Sequence, residues 1–199
     1  MIQNTLNLLH LKEREDRMKT LLPQLLSMKI PYKVWYGMRV EKKPFTGISR
    51  SHKMIVEFAK NTGMPYVIIA EDDILFTCKD AWKHYIENMP AEFDLYLGTV
   101  SGGRIDEKSK TVSDWSGMIL YTISARFYDT FLAADENKNI DRYLSGVGLQ
   151  ETERRLGRPP VYKICYPIVA TCTDGYSDNS AKEINHDQYF AAYAKYNSQ

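Results

Sequence analysis

Three consecutive carboxylates, Glu71-Asp72-Asp73, follow a continuously apolar run, Tyr66-Val67-Ile68-Ile69-Ala70. Adjacent like charges repel. An extended chain sends Glu71 and Asp73 to one side and Asp72 to the other. A divalent cation relieves the repulsion, and hard oxygen ligands select Mn2+ or Mg2+, which keep open positions for phosphate oxygens. Held against a diphosphate, such a cation is a Lewis acid that offsets negative charge on a departing nucleotide. Taken alone, the triplet reads equally well as a solvated strand end or a cap on the next helix.

Elements on either side must place that triplet. Leu6 to Leu9 reads as a buried first strand. Met18, Leu21, Leu22, Leu25 and Leu26 recur at helical spacing, predicting a helix over Glu13 to Met28 that Pro23 kinks or splits. Tyr32 to Tyr36 reads as a strand, and Glu41-Lys42-Lys43 with Pro44 and Gly47 as a loop. Ser51 reads as the cap of a second helix with His52, Ile55 and Ala59 on one face. Tyr66 to Ala70, β-branched and unbroken, suits a central strand covered on both faces.

Further on, Ala81 to Asn88 predicts a helix, Asp94 to Gly98 a strand, and polar Ser101 to Ser113 a mobile loop. Met118 to Ile123 predicts a strand, and Ser124 a cap for a helix through Ala134. Val161 to Ile164 and Pro167 to Ala170 read as short strands, the stretch from Asp174 to Asn185 as a polar tail, and Asp187 to Tyr196 as a last helix. The alternation predicts an α/β sandwich around a mostly parallel sheet flanked by helices. Ligands bind at the carboxyl ends of strands in such sheets, where the triplet stands.

The chain has 199 residues, 44% hydrophobic and 26% charged, as expected of one folded domain. Its 26 basic and 25 acidic side chains balance to a formal charge of +1, giving no electrostatic reason for a nucleic-acid partner. Cys78, Cys165 and Cys172 form no CxxC pair, which argues for a reducing compartment. No apolar run approaches the roughly 20 residues of a transmembrane segment, and Met1-Ile2-Gln3-Asn4 lacks the pattern of a signal peptide. The expectation is a cytoplasmic protein with at most a peripheral membrane association.

Gly47-Ile48-Ser49-Arg50-Ser51-His52, a helix, and then Val67 to Ile74 with Glu71-Asp72-Asp73 together resemble glycosyltransferase family 25, the lipopolysaccharide and collagen-type galactosyltransferases. Asn7-Leu8 with Arg14 and Arg17, Asp94 to Gly98, Gly117 to Ser124 and Ile140 to Leu144 are similar to further parts of that family. The family's acidic residue ahead of the glycine is replaced by Phe45-Thr46, Arg50 stands where small residues are usual, and the chain is short for the family.

The resemblance implies an A-type nucleotide-diphospho-sugar transferase fold, a UDP-hexose donor, a saccharide or other hydroxyl acceptor and inversion at the anomeric carbon. It implies a donor-binding half over residues 1–100 and an acceptor-side half with the tail over 101–199. Asp73, with Glu71, is the expected metal ligand, and Glu71 or Asp72 a contact to ribose or metal-bound water. His186 is a candidate late ligand, with a plain surface histidine as the alternative.

Around the donor the candidates are Asn7, Arg14, Gly47, Ser51, His52, Ser116 and Gly117. His52 reads equally as a packed core residue, Arg14 and Arg17 as helix-surface charges, and Trp115 as a sugar platform or a core tryptophan. Asp174, Ser177, Asp178 and Asn179 form a polar cluster suited to closing over the donor. Asp141, ahead of Glu151, is the candidate base for an acceptor hydroxyl. A non-catalytic nucleotide-sugar-binding domain and a sugar nucleotidyltransferase are the alternatives. Leu9-His10-Leu11-Lys12 lacks the glycine that the latter places after its first strand.

Overall fold

The computed structural model describes residues 4–177 and 182–198. Strand β1 (Leu6–His10) is buried along its whole length, and α1 (Glu15–Ser27) seats itself through Leu21 and Leu25, one helical turn apart. Pro23 lies inside α1, yet the helix stays one element rather than splitting. The carbonyl that Pro23 cannot serve belongs to Lys19, which is exposed, so the lost bond costs little there.

Strand β2 (Tyr32–Tyr36) precedes α2 (Pro44–Asn61). Pro44 begins α2, a position where its missing N–H costs nothing. The helix therefore starts seven residues ahead of Ser51, which is an interior residue and not a cap. β3 (Tyr66–Glu71) carries the first carboxylate as its last residue, the chain turns at Asp72 and Asp73, and β4 (Ile74–Phe76) leaves.

The chain continues through α3 (Ala81–Glu87), β5 (Leu95–Leu97), β6 (Gly102–Asp106), β7 (Thr111–Ser116) and β8 (Leu120–Ser124). The segment expected to be a mobile loop is thus a hairpin, with Ile105 paired to Val112 and a register shift between Gly102 and Arg104 where Gly103 takes φ 141°. Ser124 caps nothing, because its hydroxyl donates to the Phe93 carbonyl at 2.7 Å.

A 3-10 turn (Ala125–Phe127), α4 (Tyr128–Leu132), α5 (Ile140–Arg142), a π turn (Tyr143–Val147) and α6 (Leu149–Leu156) lead to β9 (Tyr162–Ile164) and β10 (Ala170–Cys172). β11 (Gly175–Ser177), β12 (Lys182–Ile184) and α7 (Asp187–Phe190) close the described chain. The final helix is a single turn, shorter than its sequence suggested, because Lys195 forms a bridge to Ile168 instead.

The main sheet has the order β2-β1-β3-β8-β5-β9-β7-β6. β8 and β7 run against the other strands, so most share one direction. β10 pairs with β4, and β11 with β12. Asp94, fully buried at the start of β5, accepts hydrogen bonds from Arg126 (2.9 Å), Arg158 (2.6 and 2.7 Å) and the Val161 amide (2.7 Å).

Candidate active site

Pairing of Leu9 with Glu71 brings the carboxyl ends of β1 and β3 together. Beside them opens a cavity of about 830 Å³, bounded by segment 37–42, the triplet, Ser116-Gly117, Asp141 and residues of the C-terminal region. That volume falls within the range of small-molecule sites.

The turn after β3 separates the three carboxylates by task, so they do not follow the alternation of an extended chain. Asp72, 4% exposed, is committed to the protein: its Oδ2 lies 2.8 Å from His10 Nδ1 and accepts from the Leu11 amide, and its Oδ1 accepts from Arg17 at 2.7 Å. Asp73 has one oxygen 3.4 Å from Arg17, while its buried Oδ1 has no hydrogen-bond partner among the described residues. Burial first, then the Glu71 charge, push the Asp73 carboxyl up to about 7. Glu71 is partly exposed to the cavity, its Oε1 3.2 Å from His52 Nε2.

Helix α2 supplies Gly47, Ser51 and His52. His52 is buried, and its Nδ1 lies 2.8 Å from the Tyr121 hydroxyl. The ring is therefore a packed residue that steadies Glu71. A Cβ on Gly47 would sit 2.3 Å from the Met38 carbonyl oxygen, so glycine permits the helix to press on segment 37–42. The Ser51 hydroxyl accepts from the Met38 amide at 2.7 Å and donates to the Gly47 carbonyl at 2.8 Å.

Across the cavity, Asp141 Oδ2 accepts from the Gly117 amide and Oδ1 from the Arg142 amide, both at 2.6 Å. Burial raises its pKa, the two amides oppose the rise, and the Glu71 charge adds to it. Gly117 has φ 85°, and Ser101 atoms stand 2.4–2.8 Å from where its Cβ would be. Ser116 also borders the cavity.

Of the other sequence candidates, Arg17, Ser177 and His186 border the cavity, whereas Asn7, Arg14, Trp115, Glu151 and Asp174 do not. Asn7 braces the strands, donating to the Ile68 carbonyl at 3.1 Å and accepting from Trp35 at 2.9 Å. Trp115 is fully buried, edge-on to Tyr162, so it is a core tryptophan and no sugar platform. Glu151 is off the cavity wall on α6, bonded to Arg154 at 2.8 Å and paired with Arg155 at 2.8 Å. This is the solvated ion-paired face, whereas Asp141 lies on the cavity wall. Arg14 donates to the Tyr176 carbonyl at 3.0 Å, and Arg17 to the same oxygen at 3.4 Å. His186 borders the cavity, with its Nδ1 2.7 Å from the Thr173 carbonyl. Asp178 and Asn179 lie outside the described residues.

His10, segment 37–42 and Cys172 belong to the cavity and escaped sequence reading. His10 ends an apolar strand and had no visible partner, since Asp72 is 62 residues away. Among the described residues, no three His, Cys, Asp or Glu side chains converge as a ready metal cage. The unsatisfied Asp73 oxygen with Glu71 fits the alternative in which one or two carboxylates and substrate phosphates share the cation.

This architecture is the A-type glycosyltransferase sandwich. Among solved structures, the Drosophila β1,4-galactosyltransferase 7 catalytic domain complexed with xylobiose superposes with a TM-score of 0.53 at 10% identity, covering 94% of this chain and 79% of that one. A mutant of the same enzyme complexed with manganese, UDP-Gal and xylobiose gives 0.50 at 10% identity, covering 100% and 77%. At that identity the likeness is one of fold. No protein-family model matches the chain, and no curated protein matches its sequence. No described helix is long and apolar enough to cross a membrane.

Proposed function

We propose that the chain is a family 25-like, inverting glycosyltransferase that moves a hexose, galactose or glucose, from a UDP-sugar to a hydroxyl of a saccharide acceptor with Mn2+ or Mg2+. One observation carries this reading: a buried carboxylate oxygen on Asp73 with no hydrogen-bond partner among the described residues, at the end of a central strand, beside a cavity of nucleotide-sugar size. The fold shared with a galactosyltransferase that binds manganese and UDP-Gal supports it.

Asp73 and Glu71 would hold the cation, which when bound supplies neutralising charge to the diphosphate as the sugar leaves. Arg17 and His10 keep Asp72 fixed under that site. Segment 37–42 forms the donor-side wall, and residues 101–199 furnish the acceptor side. Asp141 takes the proton of the attacking hydroxyl. Its raised pKa keeps it a stronger base than a free carboxylate, and the Gly117 and Arg142 amides fix its direction.

The test is thermal melting with UDP-, GDP- and CMP-sugars, with and without Mn2+. A UDP-hexose should raise the melting temperature only with the metal, since ligand binding to the folded state stabilises it. Acceptor-dependent UDP release then separates a transferase from a binding domain without turnover. If no sugar nucleotide stabilises the protein under either condition, the reading fails.

A further inference from the structure

Segment 37–42 walls the cavity without belonging to a helix or strand, so something must hold its backbone in place. The structure shares that task between β1, where the His10 carbonyl accepts from the Gly37 amide at 2.9 Å, and α2. The Met38 amide donates to the Ser51 hydroxyl at 2.7 Å, and that hydroxyl in turn donates to the Gly47 carbonyl at 2.8 Å. The Met38 carbonyl meanwhile rests against Gly47, where any Cβ would come within 2.3 Å, with the Val40 amide at 3.1 Å. One serine and one glycine, four residues apart on one helical face, thus meet both backbone polar groups of Met38: the serine bonds the amide and the glycine leaves room for the carbonyl. The next residue on the helix, His52, grips Glu71.

We infer that Ser51 is a positioning residue, acting through the Met38 backbone to hold segment 37–42 in the shape that receives the nucleotide of the donor. The inference rests on the function proposed above. It gives Ser51 and Gly47 a role that needs no ligand contact: they are a joint between α2 and the donor wall. Ser51 is buried at 4% exposure and has both its hydrogen-bonding capacities in use within the protein. Losing it leaves a backbone amide unsatisfied at the wall, a defect that raises the energy of the binding-competent shape.

Full-length Ser51→Ala, Ser51→Cys and Ser51→Thr are compared with the parent by calorimetry, with UDP as the probe at saturating Mn2+ and with Mn2+ alone. Amide exchange over 38–42 is followed in parallel. Ser51→Ala should weaken UDP on the order of tenfold, speed exchange at Met38 and leave Mn2+ affinity without nucleotide unchanged. In turnover, KM for the donor should rise more than kcat falls. Ser51→Thr keeps the hydroxyl and should recover most of the affinity. Ser51→Cys keeps the volume with a poor donor and acceptor, and takes the place of the alanine variant should that chain not fold. UDP binding at parental strength in a folded variant with fast Met38 exchange would overturn this inference alone. Failure of the parent to bind UDP with Mn2+ would overturn the donor reading and this inference with it.

Discussion

Asp72 and Asp73 are neighbours in sequence with opposite fates. Asp72 spends its lone pairs on His10, Leu11 and Arg17, whereas Asp73 keeps one oxygen free of partners among the described residues. Because the Asp73 pKa is raised to about 7, its contribution to stability is complete below its ordinary value of 3.8. That contribution is lost as pH rises through about 7. The melting temperature of the metal-free parent should therefore fall relative to Asp73→Asn across that window, and parallel melts measure the difference. Cation binding demands the ionised form, so Mn2+ affinity should climb with pH up to about 7 and then level, as titration calorimetry at several pH values would read. Asp141→Asn should cut turnover by roughly 10²–10⁴ while the donor Kd stays near the parental value. An equal loss in donor binding would remove Asp141 from the role of base. Reading residue types alone found this pair of carboxylates, but not the partners that distinguish them. Those partners lie tens of positions away and share no local pattern with the triplet.

Secondary structure was legible wherever burial left its period in the sequence. β2 has the predicted ends, and β1, β3 and β8 differ from their expected bounds by a residue or two. The β6–β7 hairpin was not legible, because no residue of β6 is fully buried and Gly102, Gly103 and a run of charges resemble a loop. The start of α2 was missed because Pro44 and Gly47, which usually mark loops, here open the helix and let it approach Met38. The turn from β7 to β8 passes through Gly117, at φ 85° and against Ser101. Gly117→Ala should cost about 2–3 kcal/mol of stability from backbone strain and a steric clash. Urea denaturation measures that cost. The same variant should also slow turnover, because Gly117 is one of the two amides that aim Asp141.

Seen across the molecule, the two expected halves interleave in the sheet. β8, from the second half, lies between β3 and β5 of the first, and β9 lies beyond β5. Asp94 pins that arrangement from the start of β5, through Arg126 after β8 and Arg158 before β9. Asp94→Ala should lower stability by about 2–3 kcal/mol, below the full cost of breaking a buried pair because both arginines are partly exposed. The urea midpoint reports it, and Mn2+ affinity of the folded fraction should not change.

Interleaving also sets the order of events while the chain is being made. A nascent polypeptide that has emerged only as far as Leu97 holds β3 and β5 with no strand yet available to join them. Their bare edges must wait for residues 120–124 to leave the ribosome, and until then they offer unpaired backbone to any neighbouring chain. A pause in translation within that interval would expose the protein to aggregation more than a pause at any point after β8 is in place.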